Sequence, residues 1–390
     1  MIKLGDLFHF VNGRGFKKSE WENVGLPIIR IQNLNNLNAG FNYFKGSFDK
    51  KIEIKKGDLL FSWSGTIGTS FGPHIWNGET ALLNQHIFKL EFKEEIDRDY
   101  AFHSLKHITA EIEKHVNGAV GLVHITKEKL KQFEIPLPPL SEQKQIVAIL
   151  DETFFAINKA KTNAEQNLKN VKELFESYLQ EFFEKKGEAC QERKLEEICH
   201  IIGGGTPSKS NKKYYGGDIY WATVRDMKSE IVTNTEHKIT KDAVTNSATN
   251  IIPKGNVIIA TRVGLGKVCI VANDTAINQD LKGVIPIDPK ELSVDFLFRW
   301  FKSISSKIIE EGTGATVQGV KLPFIKSLTI WLPPLDTQQA ITKKIDILSL
   351  EIEKLEAIYQ KKINSLEELK KSILQKAFNG ELKTHSNATA

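Results

Sequence analysis

Hydrophobic positions follow two patterns along the chain, and each pattern occurs twice. Short apolar runs bounded by turn residues fill residues 1–134 and 188–329 and predict strands in two globular units. After each unit, over 135–187 and 330–382, apolar residues recur every three to four positions, which predicts a long helix. The tail, 383–390, carries no apolar anchor, and we expect it to be disordered.

The two halves are an internal repeat. The segment 135–143, with the sequence IPLPPLSEQ, is answered by 330–338, with the sequence IWLPPLDTQ, at an offset of 195 residues. The offset holds without a gap through both predicted helices, where Phe183 meets Phe378. It drifts between the globular units, where Asn84-Gln85 answers Asn278-Gln279. One scaffold is therefore built twice, and whatever one copy does is done twice.

A proline pair precedes each predicted long helix and blocks any earlier helical turn. We expect Ser141 and Asp336 to be the N-cap residues, and Gln339 to complete a capping box with Asp336. Because glycine readily ends a helix, we place the two helix ends at Gly187 and Gly380.

The apolar positions of both predicted helices alternate by fours and threes, as in a coiled coil. The seam expected in the first helix is Ile146, Leu150, Ile157, Ala160, Ala164, Val171, Leu174 and Tyr178. The seam expected in the second helix is Ile341, Ile345, Leu348, Ile352, Leu355, Tyr359, Leu366, Leu369 and Ile373. Since each helix leads away from a different globular unit, paired seams must run antiparallel. The predicted fold class is α+β: two pseudo-two-fold-related mixed α/β units, joined by two long helices that form an antiparallel coiled coil.

Composition and charge exclude several classes of protein. The chain is 41% hydrophobic and 26% charged, which is typical of a globular protein. No apolar run approaches the roughly 18 residues of a membrane span. Cys190, Cys199 and Cys269 stand at no disulfide or metal spacing, and we expect free thiols in a reducing cytoplasm. The net charge of +5 permits an anionic partner without requiring one.

Catalytic motifs are absent from the sequence. The glycine-rich segment 203–210 has Ser208 where a P-loop needs its second glycine, and Pro207 disrupts the loop. There is no H-E-x-x-H, C-x-x-C or G-x-S-x-G motif, no complete dinucleotide fingerprint and no Asp-Pro-Pro-Tyr-like element of an amino-methyltransferase. We therefore expect no catalytic, cofactor-binding or metal site in this chain.

Polar loop residues suited to DNA occur at matching places in both halves. Arg, Asn, Gln and Asp read base edges, whereas Lys, Ser and Thr hold phosphates. The candidates in the first half are Arg14, Lys17, Lys18, Arg30, Gln32, Asn33, Ser62, Trp63 and Ser64. The candidates in the second half are Lys209, Asn211, Lys212, Lys213, Tyr214, Arg225, Asp226, Arg262 and Lys267.

These candidates also have ordinary alternatives. Lysine pairs usually decorate solvated loops, and Trp63 and Trp221 are more often core residues than stacking platforms. DNA reading is favoured because matching places differ in identity: Gln32-Asn33 aligns with Arg225-Asp226. Two domains that read different sequences would show this pattern, and so would drift of surface residues.

The ordered set of motifs resembles the specificity subunits of type I restriction-modification systems over nearly the whole chain. The set comprises the two Leu-Pro-Pro-Leu segments with their long helices, the glycine-rich segment 203–208, and the Lys-Gly-Asp-Leu-Leu and Lys-Gly-Asn-Val-Ile strands. It closes with the ending 375–382. One departure is Trp331 in the place of Pro136, which predicts that the two helix starts dock differently.

The resemblance implies a non-catalytic targeting subunit. Its globular units would be target recognition domains that each read one half of a bipartite DNA site. Its helices would set the spacing and dock two methyltransferase subunits, which carry S-adenosylmethionine and methylate adenine. Where present, two restriction/translocase subunits would bring ATP and Mg. The rival interpretations are a stand-alone DNA-binding regulatory or architectural protein, and a coiled-coil adaptor without a DNA role.

Overall fold

A computed structural model of the chain describes residues 1–36, 38–119, 122–184, 190–312 and 319–382. The chain forms two compact units, of which the first holds residues 1–163 and 362–390 and the second holds residues 164–361. Each unit thus combines one globular part with portions of both long helices. The helix end expected at Gly187 and the tail 383–390 lie outside the described residues.

The first globular part mixes short strands with one longer helix. Its strands are β1 Ile2–Lys3, β2 Phe8–Asn12, β3 Leu26–Ile29, β4 Asn42–Phe44, β5 Glu53–Ile54, β6 Leu59–Ser62, β7 Ser64–Gly65, β8 Gly72–Ile75, β9 Ala81–Leu83, β10 Ile87–Phe92, β11 Asn117–Ala119, β12 Leu122–His124 and β13 Glu134–Ile135. Its helices are α1 Leu4–Leu7, α2 Ile31–Asn35, α3 Arg98–Ile112 and α4 Lys127–Leu130, with 3-10 turns at Lys18–Glu20, Lys50–Ile52 and Glu113–His115.

The first long helix, α5, spans Leu140–Glu184. The second globular part then contains β14 Gln191–Lys194, β15 Cys199–Gly203, β16 Tyr215–Ala222, β17 Ile231–Val232, β18 His237–Ile239, β19 Asn250–Ile252, β20 Val257–Ala260, β21 Val268–Val271, β22 Thr275–Ile277, β23 Leu281–Pro286 and β24 Thr329–Leu332. Its helices are α6 Leu195–Ile198, α7 Lys241–Thr245, α8 Val294–Ser303, α9 Ser305–Glu310 and α10 Leu322–Ser327, with 3-10 turns at Lys212–Tyr214 and Val224–Asp226. The second long helix, α11, spans Leu335–Phe378.

The sheets of the two globular parts repeat each other. In the first part the orders are β2-β10-β6-β8 and β4-β3-β9-β5; in the second they are β15-β23-β20-β21-β17 and β18-β16-β22-β19. Both halves have a parallel pair at the same point, β3 with β9 and β16 with β22, and the second half adds a parallel pair of β17 with β21. In both halves the first strand also pairs with the strand just before the long helix, β1 with β13 and β14 with β24. The duplicated α+β scaffold inferred from the sequence is confirmed.

The long helices begin two residues earlier than the sequence suggested, at Leu140 and Leu335. The Pro139 carbonyl accepts from the Gln143 N–H at 3.1 Å, and the Pro334 carbonyl accepts from the Gln338 N–H at 3.0 Å. Because the carbonyl of the second proline opens each helix, Ser141 and Asp336 lie inside the first turn, and the expectation that they are N-caps is wrong. Gln338, and not Gln339 as expected, makes the side-chain contacts at this helix start.

The end of α11 is the one predicted. Gly380 has a φ of +75°, a left-handed conformation that glycine adopts without steric cost. The Glu381 N–H donates to the Lys376 carbonyl at 3.0 Å, so the last turn closes in the manner of a Schellman motif. In the second globular part, α8 and α9 are separated at Ile304, whose backbone leaves the helical region at ψ 11°.

The two long helices pack antiparallel. Within the first unit Lys370 contacts Asn158 at 3.0 Å, and Glu367 contacts Lys161 at 2.6 Å. Residue numbers rise along one helix as they fall along the other, as an antiparallel pair requires. Within the second unit, residues 175–183 of α5 share a hydrophobic cluster with Ile341 and Ile345 of α11.

The seam differs in part from the predicted one. Ile146, Leu150, Ile157, Ala164, Ile345 and Ile352 are buried, as expected. Leu174, Tyr178, Leu355 and Leu369 are exposed, and their assignment to the seam is wrong. In α5 the change arises because Leu179 and Phe183, which face the globular part of the second unit, are buried instead. A strict heptad pattern does not predict the burial of these two residues, because α5 packs against a globular core as well as against α11.

Candidate nucleic-acid interface

In the first unit, three loops meet on the turn between β9 and β10. The Asn84 N–H donates to the Ile29 carbonyl at 3.2 Å, at the end of β3, and the Gln85 N–H donates to the Arg14 carbonyl at 3.1 Å. The Trp63 indole N–H donates to the Gln85 carbonyl at 3.1 Å. We define the first loop cluster as residues 13–20, 30–36, 62–70 and 84–86.

The second unit builds the same arrangement around the turn between β22 and β23. The Asn278 N–H donates to the Ala222 carbonyl at 3.0 Å, and the Thr261 N–H donates to the Asp280 carbonyl at 2.8 Å. The Thr206 hydroxyl donates to the Gln279 side-chain oxygen. We define the second loop cluster as residues 204–214, 222–226, 261–267 and 278–282.

One glycine in each cluster lets two backbones touch. A Cβ on Gly13 would lie 2.0 Å from the Asn84 carbonyl oxygen, and a Cβ on Gly204 would lie 2.2 Å from the Asn278 carbonyl oxygen. Because neither backbone oxygen can move aside cheaply, only glycine fits at these two positions. These equivalent glycines therefore let the loop after β2 pack against the turn between β9 and β10, and the loop after β15 pack against the turn between β22 and β23. We call these two turns the central turns, and the two loops the glycine loops.

The exposed candidates of the first half are Lys17, Lys18 and Gln32. Arg14 is half-buried: it forms an ion pair with Glu20, and its guanidinium carbon lies 4.9 Å from the centroids of both the Phe16 and Phe44 rings.

Arg30 is also half-buried, with its guanidinium 5.3 Å from the centroid of the Trp21 ring. The two arginines are thus held in place by aromatic rings, which fixes a planar donor group near the surface.

Asn33 and Ser62 are in the interior. Both are 0% exposed. The Asn33 side chain accepts from the Arg30 N–H at 3.1 Å and donates to the Ala39 carbonyl at 3.1 Å, so it holds the turn that presents Gln32. The Ser62 hydroxyl donates to the Ser64 carbonyl at 2.7 Å. Neither side chain offers a surface to a base, and both are corrected from candidate readers to supports of their loops.

Trp63 and Ser64 belong to the framework of the first cluster rather than its surface. Trp63 stacks on Phe88 with ring centroids 5.9 Å apart, and both Trp63 and Ser64 are half-buried. Ser64 lies in β7, where it pairs with His124 of β12. The core interpretation of this tryptophan is therefore favoured.

The second half exposes more cationic side chains. Lys209, Lys212, Lys213, Arg225, Arg262 and Lys267 are exposed. Asn211 accepts from the Lys213 N–H at 3.2 Å and so begins a 3-10 turn. Tyr214 is half-buried against the hydrophobic cluster that contains Trp221. Lys212 and Lys213 therefore lie on a turn that begins at Asn211 and ends at Tyr214, and Lys209 lies just before it.

Asp226 has the same role as Asn33. Its carboxylate accepts from the Thr223 N–H at 2.8 Å and from the Glu236 N–H at 2.7 Å. These bonds hold the turn on which Arg225 stands, and the Arg225 side chain is 82% exposed. Gln32 and Arg225 are therefore equivalent exposed residues at the tips of their turns. The neighbouring Asn33 and Asp226, which the sequence had also suggested as base-reading residues, hold these turns in place.

A fixed arginine lies at the centre of the second cluster. The Arg262 guanidinium is 3.4 Å from the Asp280 carboxylate, which also accepts from the Asn278 side-chain amide at 3.0 Å. Lys282 donates to the Gln279 carbonyl at 3.1 Å, and burial lowers the pKa of Lys282 against the opposing effect of Asp280. A carboxylate that orients an arginine prepares its donors for guanine or for phosphate.

The candidates chosen from the sequence did not include Gln85 and Gln279. Both are exposed at the central turn of their cluster. The signal that could have found them was the Asn-Gln pair repeated at 84–85 and 278–279.

Metal ligands, membrane helices and reactive thiols were sought in the described part of the chain. Within it, no group of His, Cys, Asp and Glu could hold a metal ion, and no helix is long and apolar enough to cross a membrane. Burial raises the pKa of the Cys199 thiol to about 12 and that of the Cys269 thiol to about 11. Both thiols are therefore protonated at neutral pH and poor nucleophiles.

Known proteins match this chain over nearly all of its length. The sequence matches the family model of the type I restriction modification DNA specificity domain over residues 1–169 and again over residues 187–367. It is 25% identical to the type I restriction enzyme EcoBI specificity subunit of Escherichia coli, covering 98% of this chain and 85% of that protein. It is 26% identical to the putative MjaX specificity subunit of Methanocaldococcus jannaschii, with coverages of 98% and 93%.

Solved structures share the fold. A chain from the type I R-M system, solved in work on its complex assembly and conformational transition, superposes with a TM-score of 0.77 at 18% identity, covering 98% of this chain and 97% of that one. The HsdS subunit from Thermoanaerobacter tengcongensis superposes with a TM-score of 0.57 at 18% identity, with coverages of 98% and 96%.

The duplicated α+β scaffold, the two loop clusters and these matches define a DNA-specificity protein. The chain belongs to the type I restriction-modification DNA specificity family. Members of this family are targeting subunits, and the chain is accordingly a recognition subunit and not the catalyst.

Proposed function

We propose that each loop cluster reads one half of a bipartite DNA site. The observation that carries the proposal is that both clusters share a framework but differ in their exposed tips, with Gln32 in one and Arg225 in the other. Glutamine pairs with adenine and arginine with guanine in the major groove, so the two tips suit different bases. The exposed lysines supply the phosphate contacts that fix the register on the duplex.

The proposed domain assignment follows the same division. Residues 1–134 and 188–329 are the two target recognition domains, and residues 135–187 and 330–382 are the conserved helical regions. The tail 383–390 has no proposed role. The bounds of α5 and α11 support this division, because each helix begins within six residues of the proposed boundary.

The helical regions would dock two methyltransferase subunits and set the separation of the half-sites. Apolar side chains on α11 are exposed on one face: Ile347 is 56%, Leu350 56% and Ile358 59% exposed. Positions separated by three, eight or eleven residues lie on one side of a helix, so these three form an apolar stripe suited to a protein partner.

The partners would bring the chemistry. The methyltransferase subunits would carry S-adenosylmethionine for adenine methylation. Two restriction/translocase subunits, where the host has them, would carry ATP and Mg. A complex that acts on chromosomal DNA would work in the bacterial or archaeal cytoplasm.

A domain swap tests the proposal. Residues 1–134 would be replaced by the corresponding domain of another family member, and the preferred DNA site would be selected from a random library by the complex with its methyltransferase. We expect one half-site to change and the other to stay. A change in both halves would contradict independent readers, and failure to recruit a methyltransferase would favour a stand-alone DNA-binding protein.

A further inference from the structure

Two equivalent glutamines are buried at the starts of the long helices. Gln143 is 1% exposed and Gln338 is 0% exposed. In the first unit, Gln143 Oε1 accepts from the Asp97 N–H at 2.8 Å, and Gln143 Nε2 donates to the Pro138 carbonyl at 2.7 Å. One side chain thus joins the first turn of α5 both to the preceding proline segment and to a distant loop.

The second unit repeats this pair of contacts. Gln338 Oε1 accepts from the Ser293 N–H at 2.9 Å, and Gln338 Nε2 donates to the Pro333 carbonyl at 2.9 Å. The same amide nitrogen also donates to the Glu291 carbonyl at 2.7 Å. The geometry of the first copy is therefore kept, with one bond added.

The distant loop is the same structural point in both units. Asp97 is the N-cap of α3, and Ser293 is the N-cap of α8. These are the helices that pack in the hydrophobic cores of the two globular parts. Each glutamine therefore ties the start of a core helix to the start of a long helix, between residues 46 apart in the first unit and 45 apart in the second. A side chain that only stabilised the first turn of its own helix would not need a contact with a residue so distant in sequence.

The surroundings of the two glutamines differ, although both glutamines make the same pair of contacts. The Tyr100 hydroxyl donates to the Pro136 carbonyl at 3.1 Å in the first unit. In the second unit the equivalent residue is Phe296, which lacks a hydroxyl and instead packs on Phe183, with ring centroids 5.1 Å apart. The two contacts that the glutamines share are therefore kept although this neighbouring contact differs.

We propose that Gln143 and Gln338 are positioning residues that fix the angle of each recognition domain on its long helix, and thereby the half-site separation that the protein accepts. This inference rests on the proposed function. A glutamine amide offers both an acceptor and donors, which match one backbone N–H and one carbonyl. Leucine would leave both buried backbone groups unpaired, and an ionised glutamate would lose the donor.

The test uses the full chain in complex with its methyltransferase. A DNA library would keep both half-sites and vary the number of base pairs between them, and methylation would be scored for each spacer length. For Gln143→Leu and Gln338→Leu, we expect the preference for the best spacer over spacers one base pair longer or shorter to fall by about tenfold, with both half-site sequences unchanged. The control is Gln145→Leu, which changes an exposed residue two positions along α5.

If a leucine variant fails to fold, Gln143→Glu serves in its place, because it keeps the shape and the acceptor and loses the donor. We expect a smaller loss of spacer preference in the same direction. A folded variant with the spacer profile of the unaltered chain would overturn the inference, and so would a changed half-site sequence. If the unaltered complex itself methylates no specific sequence, the proposed function fails instead.

Discussion

His103 Nε2 lies 3.5 Å from Asp151 Oδ1, and this contact joins α3 to the first long helix. The equivalent pair in the second unit is Arg299 with Asp346, whose nearest atoms are 2.8 Å apart. Arg299 also contacts Glu230 at 2.8 Å. Both units therefore have a contact between a core helix and a long helix at the same position, and we call each contact a joint. The two joints differ chemically, because the arginine is always charged and the histidine is not.

The histidine joint predicts a pH dependence of stability. Burial lowers the pKa of His103 below its ordinary value of 6.5, and the nearby Asp151 opposes this only in part. Burial also lowers the pKa values of His74 and His107 in the same unit. A histidine with a lowered folded pKa binds fewer protons in the folded state than in the unfolded state, so its stabilising contribution is complete above pH 6.5 and is lost as the pH falls.

Urea unfolding at pH 7.5 and pH 5.5 checks this prediction. We expect the midpoint of the unaltered chain to be lower at pH 5.5, and His103→Gln to show a smaller drop because it has no proton to gain. The matched control is His200→Gln, which alters an exposed histidine of the second unit. An equal drop in the His103 variant and the unaltered chain would refute a role for this joint.

The close backbone contact at Gly204 predicts that adding one methyl group there will strongly reduce DNA affinity. Gly204→Ala would place a Cβ 2.2 Å from the Asn278 carbonyl oxygen, so the glycine loop must move away from the central turn. We expect DNA affinity to fall by at least about tenfold, because displaced loops lose several contacts together. The control is Gly203→Ala, whose Cβ would meet no atom closer than 4.0 Å. Binding would be measured by fluorescence anisotropy, and equal affinities for the two variants would argue against the second loop cluster as a DNA surface.

The exposed residues Gln32 and Arg225 predict that each substitution changes the sequence preference of one half-site only. Gln32→Ala should relax sequence preference in one half-site only, and Arg225→Ala in the other only, each by about 1–3 kcal/mol of discrimination. By contrast, Lys17→Ala with Lys18→Ala should weaken binding evenly across sequences and reduce its salt dependence. Site selection from a randomised library separates these results. Loss of preference in both halves from one tip variant would mean that the clusters do not read independently.

The antiparallel register predicts how the spacing can be changed. Deleting residues 157–163 together with residues 365–371 removes both partners of the Lys161–Glu367 and Asn158–Lys370 contacts and keeps the heptad phase. Seven residues span about 10 Å of helix, or about three base pairs of DNA. We expect a spacer change of that order with unchanged half-sites, measured on a spacer library.

Deleting only residues 157–163 is the control for that variant. It leaves Glu367 and Lys370 facing the wrong residues, and we expect a lower melting temperature instead of a clean change in spacing. If the paired deletion accepted only the original spacer, the helices would not set the separation.

The sequence predicted the elements that depend on local and periodic rules. The proline pairs located both long helices, and Gly380 located the end of the second, because proline and glycine constrain the backbone directly. The duplication predicted that both globular parts share one sheet plan. The start of each long helix was misplaced by two residues, because the carbonyl of a proline can accept the first helical hydrogen bond without any polar cap.

The candidate interface was predicted less well, since exposure depends on tertiary packing. Residue type alone could not separate Gln32, which is exposed, from its neighbour Asn33, which is buried and holds the turn. The same failure recurs at Arg225 and Asp226. The partners of Gln143 and Gln338 lie about 45 residues away, and no local pattern indicates a contact over that distance.

Recognition of a bipartite DNA site can be tested by mapping methylated adenines across the genome of a strain that carries this chain with its methyltransferase, and across the genome of the same strain without the chain. We expect chain-dependent methylation at one bipartite sequence, in which two specified halves flank a spacer of fixed length and unspecified sequence. Methylation at a single uninterrupted sequence, or an unchanged methylation map when the chain is removed, would contradict it.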